Sequence, residues 1–313
     1  MGKGTMTSTW EKALDAAGVH DRRLRDDFTQ QRDLVSRYRR HAYAAVRLLL
    51  PRATVPHVIA MTAFMHHTDN TLDNGGTRAE RTSAYAAWER DVREALAGGR
   101  ADHPVIRSLI HTVTTRPGLA GAVEDFLKAA PADLDFDGFA TEGAYQDYVD
   151  AYSLPAFMLV AGLLDPGTDP VAYRAACRSY IDGSQRLDFV NDLAVDLEGG
   201  RLALPRETLE EHGVSRDDLE SARDTAAVRA LLAGQLRRAR HDLLDARRLA
   251  GLTAPVDRPF VRAMVELEVL TTDAAAAKGC GLLRGSARPA AVAALRVFLR
   301  ECGRARTARR RAL

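Results

Sequence analysis

Apolar residues recur at spacings of three and four from Leu34 almost to the end of the chain, with few β-branched runs and an abundance of Ala, Leu and Arg. That periodicity predicts an all-α fold. Helix-breaking positions fall at Pro51, Asn74-Gly75-Gly76, Gly98-Gly99, Pro131, Pro166-Gly167, Gly199-Gly200, Gly213, Pro255 and Gly279. They divide the chain into roughly eight to ten helices. No linker is long enough to mark a domain boundary, and no internal repeat is present. The expected organisation is an N-terminal extension over 1–30, a single helical domain over 31–295, and a basic tail over 296–313.

Two helices break the usual pattern, because acidic residues lie where an apolar stripe should continue. In the first, predicted over Val55 to Asp73, Val58, Met61, Met65, Asp69 and Asp73 step by three and four, so two carboxylates extend the apolar face and point inward. In the second, predicted over Tyr180 to Leu197, Ile181, Gln185, Asp188, Asp192 and Asp196 share an arc of about 80° at ~100° per residue. Leu187, Phe189, Val190 and Leu193 make much of the remaining surface apolar. A helix that is greasy on its other sides and carries a carboxylate ladder on one is not an ordinary surface helix.

Carboxylates four residues apart repel one another, and more strongly when water is excluded. Divalent cations with hard oxygen ligands relieve the repulsion. Mg²⁺ in particular is held by one or two carboxylates, retained waters and substrate phosphate oxygens. A diphosphate leaving group calls for that combination, since bound Mg²⁺ stabilises the charge that develops on pyrophosphate. The alternative is that Asp69 and Asp73 flank a turn while Asp188 to Asp196 form a solvated stripe. The two ladders together favour the metal. So does Arg201, which follows the second ladder across the Gly199-Gly200 stop and could reach phosphate.

Composition narrows the class further. With 313 residues, 46% hydrophobic and 27% charged, the chain has the make-up of a folded protein with a substantial core. Three widely spaced cysteines, Cys177, Cys280 and Cys302, outline neither a disulfide framework nor a zinc set, and a reducing cytoplasm fits them best. No window reaches the roughly 20 apolar residues that span a bilayer. The start, Met1 to Trp10, lacks a secretory apolar segment. A net charge of +2 does not point to a nucleic-acid partner. The basic stretch Arg304 to Arg311 reads first as a solvated tail and second as a weak attraction to anionic lipid.

At the acidic ladders the chain resembles the squalene and phytoene synthase family, whose members carry D-x-x-x-D on one helix and D/N-x-x-x-D-x-x-x-D on another. Here these are Asp69-Asn-Thr-Leu-Asp73 and Asp188-Phe-Val-Asn-Asp192-Leu-Ala-Val-Asp196. The flanks agree: Leu48-Leu-Leu-Pro51 before the first motif, Gly200-Arg-Leu-Ala-Leu-Pro205 after the second, and Lys278-Gly-Cys-Gly-Leu-Leu-Arg284 near the end. The resemblance covers about Leu34 to Arg288. It implies an isoprenoid-synthase-like helical bundle around a central apolar cavity. It also implies dependence on about two or three Mg²⁺ ions, and head-to-head coupling of two prenyl diphosphates of C15 or C20. A terpene cyclase using one diphosphate on the same fold is the alternative, and a non-catalytic scaffold relative is the reading from another class.

By position, the resemblance implies that Asp69, Asp73, Asp188, Asp192 and Asp196 hold metal, with Gln185 and Asp188 beside the diphosphate. It places His66, Arg39, Arg40, Tyr152, Arg201 and Arg284 among the substrate contacts. The departures lie at the same places. His66 and Asn191 stand where relatives often have arginine, and Ala203 where R-x-Y-L-P has tyrosine. Asp150 stands where a functional tyrosine is usual, and is either a base for the terminal proton or a salt-bridge partner. Fewer cations at the site weaken the expectation of two bound diphosphates. Substrate length, oligomeric state and any need for a nicotinamide cofactor are not legible.

Overall fold

The helix predicted over Val55 to Asp73 forms over those residues, because its first half is buried on nearly every side and its end meets an Asn-Gly-Gly stop. Pro56 sits in its first turn, where its missing N–H costs nothing, and Gly75 and Gly76 take φ values of 101° and 79°. The computed structural model describes residues 9–311. Along it run α1 (Thr9–Ala16), α2 (Arg22–Tyr38), α3 (Arg40–Leu49), α4 (Val55–Asp73), α5 (Arg78–Gly98), α6 (Pro104–Thr115) and α7 (Leu119–Ala129). A 3₁₀ turn (Ala130–Asp135), α8 (Glu142–Tyr148), a π-helical turn (Val149–Ser153), α9 (Leu154–Ala161) and α10 (Pro170–Asn191) follow. The chain then forms α11 (Leu193–Glu198), α12 (Arg206–His212), α13 (Arg216–Glu220), α14 (Ala226–Asp245), α15 (Leu249–Leu252), α16 (Arg258–Lys278) and α17 (Ala291–Arg311). No strand occurs among the described residues.

The all-α expectation agrees with this fold, but the helices are shorter and more numerous than eight to ten. Short helices follow Gly200 and Gly213, and α2 and α10 both stop without glycine or proline, at Arg39 and Asp192. The segment expected to be an N-terminal extension is also part of the fold. Trp10, Leu14 and Phe28 are buried, and the Trp10 indole donates to Thr29 Oγ1 at 2.9 Å. The first eight residues of that extension and the last two of the basic end lie outside the described residues.

The chain divides into two compact units, the first drawn from Met1–Leu134, Met158–Leu164 and Ala305–Leu313, the second from Asp135–Phe157 and Asp165–Arg304. In the first, α4 is the central helix and packs against α2, α5 and α6. Phe64 meets the Phe126 ring edge-on at 5.7 Å, and the Trp88 indole donates to Thr68 Oγ1 at 3.0 Å. Polar side chains cross-link this core. Gln31 donates to Ser108 Oγ at 2.8 Å, and Tyr85 donates to the Leu127 carbonyl.

In the second unit α10 and α14 pack closely, and Leu187, Val190 and Leu193 share a core with Leu231, Leu232, Leu236, Val265 and Val269. Gly183 permits the approach: a Cβ there would lie 2.7 Å from the Ala239 carbonyl oxygen and 2.8 Å from Leu243 Cγ. Backbone on the facing helix cannot step aside as a flexible side chain can. Gly183→Ala is therefore expected to destabilise the protein by about 1–3 kcal/mol. The check is a lower urea midpoint with an unchanged slope.

Candidate active site

The first acidic motif closes α4, in the first unit. Asp69 is partly buried, with Oδ1 out of contact with solvent, whereas Asp73, expected to point inward, is exposed at the last helical residue. Leu72, one residue earlier, is buried, so Asp73 lies on the uncovered side of the last turn. Arg81, from α5, donates to the carbonyls of Leu72 at 2.9 Å and Asp73 at 3.4 Å, which ties down the end of α4. His66 Nε2 accepts from Asn70 Nδ2 at 3.1 Å, and its ring lies 4.4 Å from that of Tyr38. The Arg39 guanidinium stands over the other part of this cluster, 5.3 Å from the Tyr38 ring centroid. The structure thus brings together Arg39 and His66 and adds Tyr38, 56% exposed, which the sequence did not single out. Arg40 is exposed at the start of α3.

The second motif, in the second unit, was expected on one continuous helix. It is split instead, with Asp188 on α10, Asp192 at the junction and Asp196 on α11. A segment 96 residues downstream of Asn191 makes the break: Asn191 donates to the Ala287 carbonyl at 3.2 Å and accepts from its N–H at 2.7 Å. Ser286 Oγ donates to Asp192 Oδ1 at 2.9 Å. Lys278 holds that segment in shape by donating to the carbonyls of Gly285 and Ser286 at 2.7 and 2.9 Å. The i to i−4 bonds from Asp192 to Asp188 and from Asp196 to Asp192 survive, so the three carboxylates stay in sequence along one side. Asp188 is exposed, while Asp192 and Asp196 are partly buried. Burial raises the Asp196 carboxyl above the usual range, the neighbouring Asp192 adds to this, and Arg201 opposes it.

Arg201 follows the glycine stop, its N–H on the Asp196 carbonyl at 2.7 Å and its guanidinium 5.2 Å from the Phe136 ring centroid. It lines a cleft of about 420 Å³ with Phe139, Leu204, Arg206 and Arg216, which none of the three aspartates borders. Gln185 accepts from Ser153 Oγ at 3.2 Å, fixing the π-helical turn that also carries Tyr152. The Tyr152 and Tyr148 rings lie 5.2 Å apart. Asp150, in the same turn, is bound by the Arg178 guanidinium at 2.8 Å with its side chain 56% exposed, which is the salt-bridge role of the two left open. Arg284 is exposed, and its guanidinium reaches the Ala222 carbonyl at 3.4 Å.

One acidic residue escaped the sequence reading. Glu268, on α16, sits among apolar neighbours with no partner at helical spacing to betray it. Burial pushes its carboxyl up to about 7, Asp188 adds to the shift, and the Ser184 hydroxyl opposes it. The carboxyl is closely surrounded by protein atoms, although the residue keeps some contact with solvent. Below the ordinary value of 4.5 both folded and unfolded chains hold this proton. Between 4.5 and about 7 only the unfolded chain releases it, so stability falls as pH rises through that window. Glu268→Gln is expected to stabilise the Mg²⁺-free protein by about 1–2 kcal/mol above pH 7, after allowance for solvent screening, and by nothing below pH 4.5. Urea midpoints at the two pH values check it.

Among the described residues no three His, Cys, Asp or Glu side chains converge as a ready-made metal cage. Hard oxygen donors at Asp192 and Asp196, one of them resisting ionisation beside the other, fit a cation. The pattern of the family described as squalene/phytoene synthase matches residues 35–296. The chain belongs to that family.

Within the family, the chain is 33% identical over 190 residues to the bifunctional protein CrtB/UppS of Streptomyces coelicolor, a match covering 60% of this chain and 33% of that one. It is 24% identical over 236 residues to the 15-cis-phytoene synthase of Synechococcus elongatus, covering 69% and 73%. The chain spans a third of the length of the Streptomyces relative and about half that of the maize phytoene synthase 3 it also matches. In fold it is similar to the squalene synthase HpnC of Alicyclobacillus acidocaldarius, with a TM-score of 0.72 and 25% identity over 87% of this chain and 99% of that one. A dehydrosqualene synthase solved with a ligand shares the fold at a TM-score of 0.77 and 16% identity, over 94% and 99%. Where family members often carry arginine, this chain uses Asn191 to hold a backbone segment and packs His66 on Tyr38.

Proposed function

We propose that the chain ionises an allylic isoprenoid diphosphate and joins the resulting cation head to head to a second prenyl unit of C15 or C20. The observation that carries this reading is the pair of aspartate motifs, each at a helix end, in a chain that belongs to the squalene/phytoene synthase family across both motifs. Asp69 and Asp73 would hold Mg²⁺ in the first unit, and Asp188, Asp192 and Asp196 in the second. When bound, Mg²⁺ neutralises charge on the departing pyrophosphate. In the first unit Arg39, Arg40 and His66 supply donors for phosphate oxygens, and in the second Arg201 does so, with Gln185 oriented by Ser153. Tyr152 and its neighbour Tyr148 offer π faces to a carbocation. Arg284, exposed, is a further donor for phosphate oxygens, and Asp150 is held by Arg178.

Purified protein and Mg²⁺ incubated separately with C10, C15 and C20 prenyl diphosphates test the reading. The expected result is pyrophosphate release with a hydrocarbon of doubled carbon number. A product that keeps the carbon number of its substrate would replace coupling with cyclisation. That second reading is favoured by His66 and Asn191, since neither brings the permanent positive charge that a second diphosphate needs. Absence of release with every substrate would leave the scaffold reading.

A further inference from the structure

The C-terminal helix α17 carries an uncovered apolar face. Its buried side is formed by Val297, Glu301 and Ala305, which recur every fourth residue. Glu301 is fully buried and bound by Arg300 at 2.9 Å and Arg304 at 2.6 Å, so the one carboxylate of this helix is spent inside the protein. On the opposite side Val292, Leu295 and Leu299 are 63%, 55% and 61% exposed, three of the eight large apolar side chains left exposed among the described residues. At ~100° per residue they share an arc of about 60°, and Arg306 and Arg310 continue the same line. In its last turn Arg309 donates to the Leu48 and Leu50 carbonyls at 3.0 and 2.5 Å, which fastens that turn beside the end of α3.

We propose that this face of α17 is a docking surface for an anionic lipid bilayer, with Val292, Leu295 and Leu299 entering the headgroup boundary and Arg306 and Arg310 pairing with lipid phosphates. Charge complementarity selects this occupant. The helix carries seven arginines against the single, internally neutralised Glu301. A second copy of the same face would bring no free carboxylate to these arginines. Aliphatic side chains on a face rimmed by arginine, whose long stems reach back to the headgroups, are the usual composition of a helix lying in a membrane interface. No helix among the described residues is long and apolar enough to cross a membrane, so the contact is peripheral. The proposal rests on α17 alone and not on the catalytic reading.

Co-sedimentation of the full chain with vesicles of phosphatidylcholine containing 30% phosphatidylglycerol, and with pure phosphatidylcholine, tests it without any prenyl substrate. Binding to the anionic vesicles is expected to exceed binding to the neutral ones by at least about tenfold and to weaken with added salt. Leu295→Ser/Leu299→Ser and Arg306→Glu/Arg310→Glu should each lower it by about tenfold or more. All four positions are exposed, and unchanged far-UV circular dichroism confirms the fold. In Leu299→Trp, the added indole should shift its emission to the blue only with anionic vesicles. Equal binding by wild type and both double variants, or no binding to either vesicle, would overturn the proposal. So would a dimer in sedimentation equilibrium that Leu295→Ser/Leu299→Ser dissolves, which would assign the face to a second copy.

Discussion

Asp192→Asn is expected to lower pyrophosphate release from an allylic prenyl diphosphate by about 10²–10³-fold, with the circular dichroism spectrum unchanged. The asparagine keeps the shape of the side chain and an oxygen for the 2.9 Å bond from Ser286, so the junction between α10 and α11 should persist. What it removes is one negative charge from a short run in which burial and Asp192 already hold Asp196 partly against ionisation. A motif that binds Mg²⁺ should also need a higher Mg²⁺ concentration for half-maximal rate after the change. Ser286→Ala provides the contrast. It breaks the hydrogen bond and keeps the charge, and should cost less than about tenfold, the worth of an ordinary hydrogen bond. Should the asparagine variant keep more than a third of the rate, the second motif is not the metal site.

Arg186→Met should destabilise the protein by about 3–5 kcal/mol. Arg186 is 3% exposed in the second unit and is bonded to Glu142 at 2.5 and 3.0 Å, to Gln235 at 2.8 Å and to Asp182 at 3.4 Å, with its guanidinium 4.2 Å from the Tyr145 ring centroid. Methionine fills much of the volume, so the loss is chiefly electrostatic. Asp182, 6% exposed, and the half-buried Glu142 would each lose a cation. Asp242 nearby is already pushed up to about 6 by burial and by Asp182, with Arg186 opposing, so the cluster has little tolerance for a lost positive charge. Urea unfolding measures the effect. Adding Asp182→Leu should recover part of it, because a buried carboxylate then left to Arg178 alone goes too. A loss below about 1 kcal/mol would mean that water reaches the cluster and screens it.

Both acidic motifs were legible because local periodicity encodes them. The bounds of α4 follow from a continuous apolar run, a proline in the first turn and an Asn-Gly-Gly stop, all read within one helix. The same reasoning predicted one helix from Tyr180 to Leu197 and missed its break, since no glycine or proline stands at Asn191 or Asp192. The break comes from Ser286 and Ala287, more than ninety residues away, and helical periodicity carries no signal at that distance. The role of Asp150 was an open question for the same reason: the sequence shows its charge but not that it meets Arg178.

By itself the sequence determined the all-α class, the two helix-borne aspartate motifs and the family, because each is written in residues three or four apart or in a contiguous run. Only the tertiary structure decided that Trp10, Leu14 and Phe28 are buried, that Asn191 holds a backbone segment, and that burial beside Asp188 raises the Glu268 carboxyl. It also decided that α17 leaves its leucines bare. Each of these depends on burial or on a distant partner. Burial is set by what packs over a residue, and only the folded chain supplies that.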